Sequence, residues 1–329
     1  MKIFQKLYIP SCLMIIILSL IFINGCNKDN VTNSTMTDDQ YLQSVVTNGY
    51  SANQNDEDNL MSYETSDLDN GGAIGDNDPV PMTPIDSIQK WGRKITNVNL
   101  DFGITNQGDT VKVVNITRTI TGNYIIIGYA GGILQTITKP YTEVFYRHVS
   151  FKRINTSSDP RLNWRLYTIS ILSGGTTLPQ VGNDKVSVTK VELYLNGSVT
   201  PNYTFNGPDF TQNVFTTRYF GGNGIPVINR CSAVKIKVNT ISQDSPLDYV
   251  AWHWERNTFG FHRIPFTLES QTGNGPYNRV YSRTINVYNL HKLGAFNGYL
   301  SASTHESLFD TDISKFASSE LGFPYLVIQ

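Results

Sequence analysis

The stretch GDTVKVVNITRTITGNYIIIGY, Gly108–Tyr129, decides the fold class of this chain. From Val111 onward its residues alternate between two sets, of which one is mostly apolar: Lys112, Val114, Ile116, Arg118 and Ile120. A period of two is that of a half-buried β-strand, because successive side chains point to opposite faces. Gly122-Asn123 follows as a turn signal, and the apolar run after it predicts a returning strand. The stretch therefore predicts an antiparallel β-hairpin.

The same pattern continues on the C-terminal side of this hairpin. TEVFYRHVSFKRI (142–154) and NWRLYTISIL (163–172) predict a second strand pair, joined by the turn-rich NTSSDP. After a Gly/Pro-rich boundary at residues 173–185, strand-like runs recur at 186–197, 233–241, 248–257, 261–269, 279–288 and 320–329. Short strands separated by turns, without amphipathic helices between them, favour antiparallel sheets. We therefore predict a mainly β chain with two antiparallel β domains, residues 90–178 and 179–329.

Composition agrees with folded β domains and argues against nucleic-acid binding. The chain has 329 residues, 40% of them hydrophobic, with 18 Tyr and 16 Phe, residues that are frequent in strands. Its net charge of −1 combines an acidic segment, residues 27–89, with a mildly basic remainder. The basic residues are scattered rather than clustered, so no nucleic-acid partner is expected.

The N-terminus has the parts of a secretory signal peptide. Lys2 and Lys6 precede an apolar run, Cys12–Ile23, that is too short to span a bilayer. The run ends in Ile23-Asn24-Gly25-Cys26, which resembles the lipobox of bacterial lipoproteins, although Ile23 and Asn24 depart from its commonest form. The resemblance implies that residues 1–25 are removed and that Cys26 is lipidated. An ordinary signal peptide cut elsewhere, or an uncleaved anchor, is the alternative.

The residues after Cys26 resemble an export signal. Lys28-Asp29 is similar to the charged signal of Bacteroidota surface lipoproteins, and Asn27 is not the Asp that retains enteric lipoproteins at the inner membrane. The resemblance implies an outer-membrane location in the cell envelope, anchored through lipid on Cys26, with an envelope protein or a glycan as candidate partner. Residues 26–89 are predicted to be an acidic tether. Within it, a capping-box pattern at Thr37–Gln40 predicts one short helix, ending at Asn48-Gly49.

Two resemblances bear on the folded domains. The order of a leading helix, long strands and a Trp-Arg-Leu strand resembles the NTF2-like α+β fold over residues 37–176, carried by Arg147, Trp164, Arg165 and Leu166. That family often holds a small ligand in a cone-shaped cavity, and we carry over no catalytic residue. An Ig-like or other antiparallel sandwich is the competing interpretation. VSVTKVELYLNG, residues 186–197, resembles the opening strand of bacterial Ig-like domains.

The best candidate for chemistry is WHWER, Trp252–Arg256. On a strand, His253 and Glu255 share one face, and Trp252 and Trp254 share the other. The His/Glu pair would suit metal ligation or acid–base work, while exposed Trp rings could stack on sugars. The plainer interpretation has the Trp face in the core and the His/Glu face in solvent. Cys231, the one cysteine beyond residue 26, is expected to be a buried small hydrophobe.

The sequence has no recognised catalytic motif, so we expect no enzyme, no metal site and no cofactor. The predicted function is a non-catalytic binding or structural role in the cell envelope. One alternative is a carbohydrate-binding surface lipoprotein, with ligand contacts among Trp252, His253, Trp254, Glu255, Arg147 and Trp164. The other is small-ligand binding or hydrolysis in a cavity of the first domain.

Overall fold

The computed structural model describes residues 36–48, 84–211, 214–222, 224–257 and 260–329, without the side chains of residues 48 and 254–262. The predicted signal peptide, Cys26 and most of the predicted tether therefore lie outside the described residues. The chain divides into two units, Met1–Thr37 and Asp38–Gln329, and the structure below is that of the second.

Strands make up most of the described chain, which confirms the mainly β prediction. The helices are α1 (Asp38–Asn48), α2 (Gly182–Lys185) and α3 (His305–Phe309), with 3-10 turns at Pro160–Leu162 and Arg218–Phe220. Of the described helices, none combines the length and the apolar character that crossing a membrane requires. The strands are β1 (Ser87–Gln107), β2 (Val111–Ala130), β3 (Ile133–Arg153), β4 (Trp164–Ser170), β5 (Leu172–Leu178), β6 (Val186–Leu195), β7 (Tyr203–Asn206), β8 (Val214–Thr216), β9 (Val227–Asn229), β10 (Ala233–Ser242), β11 (Tyr249–Asn257), β12 (Gly260–Pro265), β13 (Thr267–Thr272), β14 (Tyr277–Asn286), β15 (Gly294–Ser303) and β16 (Ser318–Ile328).

The strands form two sheets. The larger has the order β1-β2-β3-β5-β16-β15-β11-β12, with β4, β8 and β9 attached beside this path, and the smaller has the order β13-β14-β10-β6-β7. All ladders are antiparallel except that of β9 with β16. Strands from both sides of the predicted boundary after residue 178 share the larger sheet, because β5 pairs with the C-terminal strand β16.

The predicted turn at Gly122-Asn123 is wrong, because β2 runs through it without interruption. Gly122 serves a different purpose: a β-carbon there would lie 2.5 Å from the carbonyl oxygen of Lys94 and 2.9 Å from the hydroxyl of Tyr141. Glycine permits that close approach of neighbouring strands. The chain instead turns between β2 and β3 at Gly131 and Gly132, whose φ values of 59° and 76° suit glycine.

The helix predicted from the capping-box pattern is confirmed as α1. It buries one apolar stripe, namely Tyr41, Leu42, Val45 and Val46, in the same core as strand residues such as Val149. An ion pair between Asp39 and Lys112 joins its first turn to the start of β2. Because an isolated helix of this length is marginal in water, tertiary packing of the stripe stabilises it.

The larger sheet curls, so both of its faces are buried over much of their area. One apolar core lies between the two sheets and includes Leu193, Val238 and Phe323. A second core lies inside the curl, where Trp91 of β1 approaches strands at the far end of the sheet. Its ring centroid is 5.0 Å from that of Tyr249, and the guanidinium of Arg263 lies 3.4 Å above the ring.

Candidate functional site

Strand β11 carries the residues that the sequence singled out, and over Tyr249–His253 it buries both of its faces. Trp252 is 5% exposed and lies in the core between the sheets, stacked on Phe323 with ring centroids 4.9 Å apart. The core position of Trp252 agrees with the plainer interpretation, and its ring is not available as a platform for a sugar. The side chains of Trp254 and Glu255 lie outside the described residues.

The prediction that His253 faces solvent is wrong, because this side chain is 1% exposed. Its ring lies parallel to that of Tyr299 at 4.4 Å, and its Nε2 is 2.9 Å from the hydroxyl oxygen of Ser301. The alternation of a strand assigns residues to a face, but the curl of the sheet decides whether that face meets water. An imidazole beside a serine hydroxyl is part of a nucleophile pair. Ser301 is itself only 3% exposed, so a substrate could not reach the pair as it stands.

The structure does not bring all the predicted ligand contacts together. Arg147 is 2% exposed, and its guanidinium lies 3.3 Å from the amide oxygen of Asn297 on β15, two residues before Tyr299. Arg147 and His253 thus both contact the face of β15 that carries Asn297, Tyr299 and Ser301. Trp164 is 1% exposed at the start of β4, with the ammonium of Lys112 5.6 Å from its ring. It stands apart from both, in the core that α1 covers.

A buried ion network that sequence reasoning missed lies inside the curl. The guanidinium of Arg93 donates to Glu143 at 3.2 Å and also to Glu320, and the hydroxyl of Ser318 donates to Glu143 at 3.0 Å. Burial by itself would lower the pKa of Arg93, but the two carboxylates raise it well above its ordinary value. The partners are separated by 50 and 227 residues, so no local pattern could have indicated the network. The one guanidinium is shared by two carboxylates from different strands, as in a structural clamp.

A buried cation lies on the same strand as Glu143, four residues earlier. Lys139 is fully buried and donates to the carbonyl oxygens of Glu306 and Lys315, at 2.7 and 2.9 Å. Burial lowers the pKa of this ammonium to about 8, against an ordinary value of 10.5. The contacts tie β3 to α3 and to the loop that follows it.

The smaller sheet has an ion pair of its own. Arg279 on β14 and Asp248 are each 1% exposed, with the guanidinium 2.8 Å from the carboxylate. Burial raises the pKa of Asp248 in spite of the opposing effect of Arg279. Like the network around Arg93, the pair holds two parts of the fold together.

No group of three or more His, Cys, Asp or Glu side chains suited to a metal occurs within the described part of the chain. Cys231 is exposed, so the prediction that it is a buried hydrophobe is wrong. It lies in the turn before β10 with φ of 59°, and a turn position outside the strand does not share the burial of the strand.

An apolar cavity of about 60 Å³ lies between the two sheets. Its inner wall contains Trp252, Phe323 and Tyr325, and the smaller sheet contributes aliphatic side chains. The lining is Leu193, Ile228, Val234, Ile236, Trp252, Ile285, Asn286, Val287, Tyr288, His291, Phe323, Tyr325 and Val327. Sequence reasoning missed this site, because the lining comes from strands that are distant in sequence and alternation does not reveal which buried side chains leave a gap.

The loop from β14 to β15 borders the mouth of the cavity. Tyr288 is 44% exposed, and the loop also exposes two leucines, Leu290 at 79% and Leu293 at 48%. His291 is buried, with its ring edge-on to Phe296 at 5.0 Å and its Nδ1 2.8 Å from the carbonyl oxygen of Lys292. The cavity therefore has an apolar floor, with Asn286, Tyr288 and His291 as polar groups in its lining.

Comparison with known protein families and with curated proteins finds no match for this chain. The resemblances to NTF2-like and Ig-like domains therefore remain predictions from short stretches of sequence.

Proposed function

We propose that this chain is a lipid-anchored cell-envelope protein with a non-catalytic binding role, and that it binds the apolar end of a small ligand between its two sheets. The observation that carries the binding role is the cavity beside Trp252. Protein cores are close-packed and hold few voids larger than a water molecule. An apolar cavity of sufficient size stays dry and accepts apolar ligands.

The state of the buried polar groups favours binding over catalysis. Arg93 is paired with two carboxylates, and Arg279 is paired with Asp248. Catalytic groups need access to substrate and a free charge or lone pair to use on it. The His253 and Ser301 side chains adjoin each other but are almost completely buried.

The size and lining of the cavity define the class of ligand. A volume of about 60 Å³ accommodates the terminal carbons of an alkyl chain or part of an aromatic ring. Pockets typically combine an apolar lining with a few polar groups that orient the ligand. Asn286, Tyr288 and His291 supply those groups, so the ligand has an apolar end and a polar or charged remainder.

Methyl NMR tests the binding role. Octanoate and benzene are titrated into the protein with labelled isoleucine δ-methyl groups. Ile228, Ile236 and Ile285 line the cavity and should shift in a saturable way. Ile126, in the core inside the curl, is the internal control and should not shift.

A blocking variant makes the result specific. Val287→Phe places a ring in the lining and should abolish the shifts, whereas Leu290→Phe, on the same loop but outside the lining, should preserve them. Equal shifts in both variants, or none in the wild type, would contradict the binding role.

The envelope location rests on the lipobox resemblance at Cys26 and needs its own test. Palmitate labelling should mark the wild-type chain and Cys231→Ala but not Cys26→Ala, and globomycin should cause the unprocessed chain to accumulate. An unchanged lipid signal in Cys26→Ala would refute the anchor without affecting the cavity.

A further inference from the structure

Strand β1 forms an edge of the larger sheet, and its two halves differ in how well that edge is protected from pairing with another strand. Within the described residues its ladder partner is β2 alone. The first half contains two bulges, at Ile88/Lys90 and Ile95/Asn97, and the exposed side chains of Lys90 and Lys94. Bulges and lysines are devices that natural proteins use to stop edge strands from pairing with other chains.

The second half of β1, Asn97–Gln107, has none of these devices. It contains no Lys, Arg or Pro, its ladder with β2 is unbroken, and its one charge is Asp101. The segment is roughly 35 Å long at the usual rise of a strand. Every second residue from Leu100 to Ile104 is half-buried and packs on the core, while the residues between them are exposed. The outer edge is thus long, regular and ready to accept another strand.

We propose that Asn97–Gln107 pairs antiparallel with the same segment of a second copy of this chain, with Phe102 on the two-fold axis. Along a strand, the N–H and C=O groups of successive residues point alternately to its two edges. In an antiparallel pair, the residues whose groups point to the shared edge lie opposite each other. In a symmetric pair of copies, the two residue numbers that face each other are therefore both odd or both even. Phe102 is the central residue of the unbroken segment. Centring the pair there aligns the whole segment and stops short of the bulge at Ile95/Asn97.

The side chains that this register brings together are complementary. Phe102 faces its own copy, and Leu100 faces Ile104, so apolar residues meet on the core side. On the exposed side Asn99 faces Thr105, and Asp101 faces Gly103. A register centred one residue earlier would place the two Asp101 carboxylates opposite each other, which is destabilising. This self-complementarity favours a second copy of the chain as the occupant of the edge.

Disulfide cross-linking in intact cells tests the register. The full chain carries Cys231→Ser, because that thiol is exposed, together with Asn99→Cys and Thr105→Cys. Oxidation should give a reducible dimer, since directly opposite β-carbons are about 4.5–5.5 Å apart. Asn99→Cys alone should give at most a trace of that dimer. A dimer from Asp101→Cys alone that exceeds the double variant would overturn the register, and no dimer from any variant would overturn the proposal.

A charge swap separates pairing from an effect on folding. Asn99→Lys/Thr105→Lys places lysines opposite lysines in the pair, at positions that are exposed in the single chain. Sedimentation of the purified full chain should show a dimer for the wild type and a monomer for this variant, with unchanged unfolding. Mixing it with Asn99→Glu/Thr105→Glu should restore a mixed dimer. The same oligomeric state for all variants would contradict the proposal.

Deletion of residues 52–80 tests whether this segment of the same chain pairs with the outer edge of β1. The deleted chain should form the same dimer as the wild type. A monomeric wild type and a dimeric deletion variant would show that the chain occupies its own edge, and the proposal would fail.

Discussion

Gly298 of β15 lies against the six-membered ring of Trp252, so closely that a β-carbon there would stand 2.1 Å from Cη2 and Cζ2 of the indole. Phe323, which lies opposite Gly298 in the ladder of β15 with β16, stacks on the same indole ring. The absence of a side chain at Gly298 therefore makes room for the indole of Trp252 in the core between the sheets.

Gly298→Ala should destabilise the fold by about 1–3 kcal/mol, since overpacking a close-packed core has costs of that size. Gly103→Ala is the matched control, because it is also a strand glycine but its β-carbon would have no neighbour within 4 Å. Urea unfolding of both variants measures the difference. Equal urea midpoints for the two variants would show that Trp252 can shift to make room for the new methyl group without a loss of stability.

Arg93→Met should cost about 3–5 kcal/mol, because it leaves Glu143 and Glu320 buried without their common partner. Lys190→Met removes a partly exposed pair with Glu192 and should cost less than about 1 kcal/mol. Chemical unfolding at neutral pH compares the two. If Arg93→Met lowers the free energy of unfolding no more than Lys190→Met does, the Arg93 network does not hold the fold together.

Lys139 should make the fold more stable as the pH rises from about 8 to 10.5. In that window the folded chain has released a proton that the unfolded chain still holds, so the free energy of unfolding increases with pH. The gain is up to about 3 kcal/mol across the window.

Because other groups titrate there too, the quantity to measure is the difference in unfolding free energy between wild type and Lys139→Met at each pH. That difference should grow as the pH rises from about 8 to 10.5. A flat curve for Lys139→Met would contradict the assignment.

Cys231→Gly should stabilise the fold by about 0.5–1 kcal/mol, because a positive φ strains a side chain that bears a β-carbon. Asn196→Gly, at φ of 52°, should gain less, since Asn tolerates this conformation better than most residues. Thermal unfolding measures both changes. The native thiol of Cys231 should also react with Ellman's reagent without denaturant, as its exposure requires.

Much of the secondary structure followed from local pattern. Alternation around Val114 and Ile116 indicated β2, and the capping box before Tyr41 indicated α1. Prediction from local pattern was wrong where a residue type suits two kinds of backbone structure. Gly122 has the composition of a turn but serves a close strand contact, and Cys231 adjoins a strand but lies in a turn.

The candidate site was largely beyond the reach of sequence. Trp252 was identified as a strand residue with a core face, but its neighbours in the cavity come from other strands, and Phe323 is far along the chain. His253 was assigned to the correct opposite face, but the burial of that face was not foreseen.

The sequence by itself determined that the chain is mainly β and which residues share a face in strands such as β2 and β11, because side-chain alternation is a property of neighbouring residues. Only the tertiary structure decided that the larger sheet curls, that Arg93 meets Glu143 and Glu320 inside it, and that a gap remains beside Trp252. These features depend on contacts between residues up to 227 positions apart, and their geometry is set by how whole sheets twist and pack.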